Sequence, residues 1–320
     1  MKVKSSLIYI ILSAVCLLFG CVASSQAPPV SGVFSFCVLQ TGKSDAIFMQ
    51  TQNYNIILDC GDKDDGDKIV ELLNQKGVSK IDYLFLTHFD SDHVGGFPYV
   101  MENVEIDKII VPDYPCTNKA YAKATIKNRN ITALNEDTTL MLDDVIFEVS
   151  VPKKKSYAEE DNDFSLVISI THGNNNFLFT GDAEEERTSE ILAQFDKHYD
   201  ILKAPHHGIY NSTTQELINT TKPKHTIITD STKKPTDART MLILKEIKSK
   251  IHTTKSGNIL VSSDGYDISI QYKTSLRNLS ERSFFAIFCK VFCFQRCKTK
   301  TLRLICDNHK SSRHLQKKLP

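Results

Sequence analysis

The sequence predicts a mixed α/β (α+β) protein built as a four-layer αββα sandwich, two β-sheets face to face with helices outside. Three observations carry that expectation. Short β-rich runs alternate with helical stretches, the alternation recurs in two similar halves, and ionisable residues collect where apolar strand-like runs end.

VFSFCVLQ (33–40), DAIFMQ (45–50) and YNIILD (54–59) are β-rich runs separated by Gly, Lys, Gln and Asn, the pattern of an antiparallel meander. From Gly66 to Lys76 the apolar Ile69, Val70, Leu72 and Leu73 share roughly one face, and Gly77 stops the helix. IDYLFLT (81–87) reads as a buried strand delivering a loop in which Gly95-Gly96 lets the backbone turn tightly. The second half repeats the theme with strands at 145–151, 164–171 and 177–180, a helix from about Glu184 to Phe195, and a strand at 200–205. Further strands and a helix run on to Tyr272, with no internal domain boundary between 33 and 273.

A chain of 320 residues with 41% hydrophobic and 24% charged residues has the material for one large core, which argues for a globular protein rather than a disordered one. Its net charge of +1 hides an asymmetry. Residues 274–320 carry 11 Lys+Arg against 2 Asp+Glu, whereas the preceding 273 carry 28 against 36. The acidic main body offers no broad basic surface for a long polyanion, so binding one requires local positive charge, bound metal or the tail.

Lys2 and Lys4 followed by LIYIILSAVCLLFG fit a secretory signal (1–25) better than a membrane span of ~20 residues. Leu18-Phe-Gly-Cys21 resembles a bacterial lipobox, which implies a lipidated Cys21 and a membrane-anchored lipoprotein outside the cytoplasmic membrane. The alternative is simple secretion after cleavage near Ala23 to Ser25. QAPPVSG (26–32) reads as a tether. Of nine cysteines, two lie in the signal and four in the tail. Cys37, Cys60 and Cys116 remain, an odd number, and the first two sit in apolar runs as small hydrophobes, so no disulfide framework is expected. In the tail (274–320), Cys289, Cys293 and Cys297 would share one helical face, and the apolar run is too short to span a bilayer. The tail is expected to take no part in catalysis, with a basic segment lying on an anionic membrane as the other reading.

Three strand ends carry the chemistry. LFLTHFDSDHVGG packs His88, Asp90, Asp92 and His93 into six positions. Carboxylates that close repel each other unless a cation compensates, and imidazole nitrogen and carboxylate oxygen are ordinary ligands of a divalent metal. FLFTGDAEEE places Asp182 at a second strand end, and LKAPHHGIYNS places His206 and His207 at a third. Singly, Asp182 reads as a helix cap and the histidine pair as a surface feature. Three such ends in order outweigh those readings.

Together these stretches resemble the metallo-β-lactamase superfamily over roughly residues 33–273. Within it, the chain is similar to the β-lactamase-like domain of ComEC-type competence proteins and their stand-alone relatives. CVLQTGKSDAIFMQ resembles that group's opening strand, Gly-Gln-Gly-Asp-like turn and strand. Asp59-Cys-Gly61 matches its Asp-x-Gly, and THFDSDHVGG, LFTGD, LKAPHHG and TTKSGNILVSSDGYDISI match its later motifs.

The resemblance implies two divalent ions, Zn2+ or Mn2+. One site would use His88 and Asp90, the other Asp92, His93 and one of His206 and His207, with Asp182 bridging. Asp90 stands where many members have histidine, and a further histidine expected before Asp182 is missing. His172 is rejected for that role, because it lies at a hairpin turn about seven residues, roughly 20 Å at ~3.3 Å each, from the end bearing Asp182. Asn162 falls at the correct end and resembles the asparagine found there in the competence group. A first site so rich in oxygen suits harder ions such as Mn2+.

The implied function is an exported metal-dependent hydrolase, a phosphodiesterase or nuclease, with Asp92, His206 and His207 as catalytic candidates and single-stranded DNA as a polymer partner. The alternatives are a hydrolase of another ester class (lactone, phosphorylcholine ester or β-lactam) and a non-catalytic metal-binding accessory to DNA uptake. Oligomeric state is left open.

Overall fold

The computed structural model describes residues 32–116, 118–125, 130–158 and 161–273. The proposed signal with Cys21, the tether up to residue 31 and the basic tail from 274 lie outside the described residues.

The meander forms as expected. Strands β1 (Phe34–Val38), β2 (Ala46–Gln50) and β3 (Asn55–Cys60) pair antiparallel in sequence order. Helix α1 (Gly66–Lys76) ends where Gly77 takes the left-handed conformation at φ 70°, its N–H returning to the carbonyls of Leu73 and Asn74. The chain comes back as β4 (Lys80–Phe85), parallel to β3.

The segment after β4 departs from the expected loop, because Asp92 and His93 lie on a short helix, α2 (Ser91–Val94), followed at once by α3 (Phe97–Asn103). Gly95 and Gly96 are not a special turn, since both have ordinary right-handed helical angles. Their reason is space: a Cβ on Gly96 would lie 2.2 Å from the Cys60 carbonyl oxygen, and one on Gly95 would lie 2.4 Å from that of Ser91. Glycine lets α2 and α3 press against the end of β3, which brings His93 to Asp59.

Strands β5 (Glu105–Pro112) and β6 (Ile131–Leu134), with α4 (Lys119–Thr125) between them, extend the parallel half of this sheet. The second sheet repeats the plan. Strands β7 (Thr138–Leu142), β8 (Val145–Ser150), β9 (Val167–His172) and β10 (Asn175–Phe179) pair antiparallel. Then β11 (Ile201–Lys203), β12 (His225–Ile228) and β13 (Lys250–Thr253) add in parallel, with α5 (Glu185–Gln194), α6 (Thr214–Thr221) and α7 (Ala238–Glu246) as crossovers. Two helices rather than one thus follow the histidine pair, and β9 starts at Val167 because a 3-10 turn occupies Asn162–Phe164. Strands β14 (Asn258–Ser263) and β15 (Ile268–Lys273) return to the first sheet beside β1.

Strand alternation sorts side chains to two sides of each sheet. Between the sheets, Phe34 and Phe36 of β1 meet Phe177 and Phe179 of β10 at ring separations of 5.3–5.8 Å. Outside the first sheet, Ile57, Leu84 and Ile109 pack on Leu72, Leu73, Phe97 and Val100 of the helices. Outside the second, Leu178 and Leu202 pack on Ile191 and Leu217, and Ile228 on Leu244. These are the expected four layers. Cys37 and Cys60 are buried free thiols, and burial pushes the Cys37 thiol up to about 12. Among the described residues no helix is long and apolar enough to cross a membrane.

Candidate metal centre

Equivalent strand ends from the two halves meet at one edge of the sandwich. The ends of β3 and β4 supply Asp59, Thr87 and His88, and α2 supplies Asp92 and His93. The end of β10 supplies Asp182, and a 3-10 turn over Pro205–Gly208 after β11 supplies the histidine pair. Strain gathers here. Asp59 (φ 58°), His206 (φ 43°) and His207 (φ 53°) all take positive φ, which is costly for residues bearing a Cβ.

Asp182 is the centre of the cluster. Its Oδ1 lies 3.2 Å from His93 Nε2, and its Oδ2 lies 3.2 Å from His207 Nε2 and 3.8 Å from His206 Nε2. Asp92 Oδ2 is 3.4 Å from His207 Nε2. The rings of His88 and His93 are 4.1 Å apart, and Asp90, on the open side, reaches within 3.9 Å of His88 Nε2. The two adjacent histidines separate in role. His207 is buried and faces Asp92 and Asp182, while His206 is partly exposed and directs Nδ1 to the Glu184 carboxylate, which also accepts from Asn211 Nδ2 at 3.0 Å.

Asn162 lies on the 3-10 turn whose continuation touches the His88 side: Ser165 Oγ is 3.4 Å from His88 Nδ1, and Leu166 N donates to the Thr87 carbonyl at 2.8 Å. His172 lies elsewhere. It pairs with Asn175 at the hairpin turn, buried against Ser263 at 2.8 Å, as the rejection from sequence expects.

A cation fits these residues on two grounds. Among the described residues, Nε2 of His88, His93 and His207, Oδ1 of Asp182 and Oδ1 of Asn162 are buried and make no well-aligned hydrogen bond, the 3.2 Å contacts to Asp182 included, a costly condition for polar atoms unless a ligand satisfies them. The charge count agrees. Five carboxylates contact the three imidazoles (Asp45, Asp59, Asp90, Asp92 and Asp182), and with the ammonium of Lys203 they leave four negative charges, which two divalent cations balance.

The local fields act on the titratable groups in opposite directions. Burial holds His88 down to about 3, keeping its imidazole neutral. Burial opposes charge on His207 too, yet Asp182 and Asp45 carry it up to about 10; Asp182 and Asp59 likewise raise His93. Burial, with Asp161 and Asp92 nearby, pushes Asp90 up to about 6.

Several participants were not singled out as site residues in the sequence. Asp59 accepts from Thr87 N and Oγ1 and contacts His93 Nδ1 at 2.8 Å. Asp45 pairs with the buried Lys203 at 2.7 Å and accepts from Thr229 Oγ1 at 2.6 Å. Two signals were available: the Asp-x-Gly at 59–61, and a lysine inside the otherwise apolar run ILKAP.

Comparison with known proteins gives the family. A family model described as the metallo-beta-lactamase superfamily matches residues 39–228. The chain is similar to the ComE operon protein 3 of Bacillus subtilis (30% identity over 169 residues, 51% of this chain and 22% of that protein). It is also similar to the competence protein ComA of Neisseria gonorrhoeae (26% over 235 residues, 70% of this chain and 32% of that protein). It thus spans less than a third of the length of either relative. Among solved structures, the metallo-beta-lactamase fold protein YhfI of Bacillus subtilis superposes with a TM-score of 0.51 at 13% identity, covering 73% of this chain and 100% of that one, a likeness of fold. With the family model reaching from the end of β1 to β12, and the ligand-type side chains at the matched strand ends, the chain belongs to the metallo-beta-lactamase superfamily.

Proposed function

We propose that the protein is a binuclear metallohydrolase that cleaves phosphodiesters, with single-stranded nucleic acid as its polymeric substrate. The observation that carries this reading is the composition of the cluster. His93, His207 and Asp92 form a nitrogen-rich side with Asp182, whereas the His88 side has one imidazole with Asp90, beside the 3-10 turn that carries Asn162. His88, Asp90 and Asn162 would hold one ion, Asp92, His93 and His207 the other, and Asp182 both. Oxygen ligands on the first side favour Mn2+, and the second side suits Zn2+. When bound, such ions polarise a phosphoryl oxygen and lower the pKa of water.

The chain's own residues do the rest. His206, partly exposed with Nε2 toward the cluster and Nδ1 on Glu184, is placed to hand a proton from Nε2 to the departing alkoxide, and Glu184 holds the ring in that orientation. Local positive charge supports a polymeric substrate. Lys43, Lys233, Lys234 and Lys255 lie on turns linked around the His207 side by Thr229 to Asp45, Asp230 N to Thr254 Oγ1, and Gln40 Nε2 to the Lys255 carbonyl. Similarity to a relative named a competence protein supports nucleic acid as the polymer. The positively charged, apolar N-terminal run supports export with a membrane tether at Cys21, a reading that an acyl mass on the purified membrane-bound protein would support.

Purified protein assayed for bound metal and screened against an activated phosphodiester, a lactone, a phosphorylcholine ester and a β-lactam tests the reading. Mn2+-stimulated diester cleavage with little β-lactam hydrolysis is expected. Metal-replete protein that opens lactones or β-lactams but cleaves no diester makes it a hydrolase of another ester class, and no turnover at all makes it a metal-binding accessory.

A further inference from the structure

We infer that Thr229, backed by the buried Asp45–Lys203 ion pair, is a positioning residue that fixes the proton of His207 on Nδ1 and so keeps Nε2 bare for a cation. The inference rests on the metal reading above and deepens it.

The hydrogens available to Asp45, Thr229 and His207 fix the tautomer. Asp45 lies in the turn between β1 and β2, and Lys203 closes β11 in the other sheet; both side chains are buried, 2.7 Å apart. A carboxylate held by an ammonium is an acceptor only. Thr229 Oγ1, 2.6 Å from the other oxygen of Asp45, therefore commits its single hydroxyl hydrogen to that carboxylate. His207 Nδ1 lies 2.7 Å from the same Oγ1, which has no hydrogen left to give. Nδ1 must carry a hydrogen and donate it to the Thr229 oxygen. A neutral imidazole has one N–H, so Nε2, facing Asp92 and Asp182, keeps its lone pair.

The first half of the fold uses the same device. Thr87 Oγ1 donates to Asp59 at 2.8 Å, and His88 Nδ1 lies 3.0 Å from that oxygen. Each half thus has a carboxylate, a threonine hydroxyl and an imidazole in series. The difference is the donor behind the carboxylate. Asp59 receives the Thr87 backbone N–H at 2.7 Å, whereas Asp45 receives Lys203, which accounts for a charged side chain buried inside a strand. Hydrogen bonds that orient ligating histidines in this way govern metal affinity.

The test uses the full chain, stripped of metal and titrated with Zn2+ against a chromophoric chelator. Thr229→Val keeps the shape and removes the hydroxyl; Thr229→Ser restores it. The valine variant should weaken one of two binding events by roughly 10–100-fold and leave the other unchanged, while the serine variant stays within a few-fold of the parent. In the Zn2+-loaded parent the His207 Nδ1–H should give a slowly exchanging imidazole proton resonance that persists in the serine variant and is lost in the valine variant. Should Thr229→Val fail to fold, Thr229→Ala serves the same comparison. Unchanged affinity at both sites in a folded hydroxyl-free variant overturns the inference, as does equal loss in the serine variant. Diester turnover by the parent is scored separately: protein that binds two ions without cleaving a diester sinks the hydrolase reading and leaves the role of Thr229 standing.

Discussion

At the residue scale, Asp182 and His172 are both buried, both lie in the β9–β10 region, and both are ligand types, yet they should behave oppositely. Asp182 touches His93 and His207 through its two oxygens, so Asp182→Asn should lower metal stoichiometry and reduce turnover by more than the roughly 10–100-fold of an outer-shell change. His172 bonds Ser263 and packs edge-on against Phe34, so His172→Ala should cost about 1–3 kcal/mol of stability and leave metal content unchanged. Metal analysis with thermal unfolding of both variants checks this, and equal metal loss would mean that the site has been misplaced. His88, Asp90, Asp92, His93, Asp182 and the histidine pair were legible because each sits at the end of an apolar run. Which of His206 and His207 faces the cluster was not legible, since adjacent residues are separated only by their left-handed backbone and by Glu184 capturing the first. Asp45 and Thr229 were hidden for another reason: 184 positions part them, and only the closed sandwich puts them in contact.

At the element scale, the meander, α1 and the hairpin leading to Asp182 are readable from local periodicity, whereas β6 and β7 are not, because their exposed positions break the apolar pattern. Edge strands hold one feature with a pH signature. His225 Nδ1 on β12 meets His252 Nε2 on β13 at 3.0 Å, and His252 Nδ1 meets Tyr272 Oη on β15 of the other sheet at 3.0 Å. Burial, with His252 and Lys250 beside it, lowers His225 to about 4. A histidine whose folded pKa lies below its unfolded value of ~6.5 contributes stability that is present above that value and lost as pH falls through about 4. Wild-type thermal midpoints should therefore drop from pH 6.5 to 4 more steeply than those of His225→Gln, which cannot charge. Carboxylates titrating in the same window cancel in the difference, and parallel curves for the two proteins would show that the pair does not hold these edges together.

At the scale of the whole molecule, charge is organised in a way that the totals conceal. Residues 1–273 have 36 acidic against 28 basic side chains, and five of those carboxylates are drawn into contact with the imidazoles, where cations would neutralise them. Beside them, Lys43, Lys233 and Lys234 have no carboxylate partner among the described residues, and Lys255 lies 3.8 Å from Asp230. The sequence separates these lysines by up to 212 positions, so no charge run announces them; the Gln40–Lys255 contact and the Thr229–Asp45 bond assemble them. A single strand crossing this rim would meet several cations at once, while a small diester reaches only the metal cluster. Binding of a single strand to the metal-free protein should then weaken with salt at roughly 0.7 per phosphate contact on a log–log plot, a slope of about −3 for four lysines, and the Lys233→Ala, Lys234→Ala double variant should reduce it by about 1.4. Small-diester turnover has no such multiple contact and should vary little over the same range. A polymer whose binding is as indifferent to salt as small-diester turnover, or a double variant with the parental slope, would remove these lysines from substrate recognition and turn attention to diesters no larger than the cluster itself can hold.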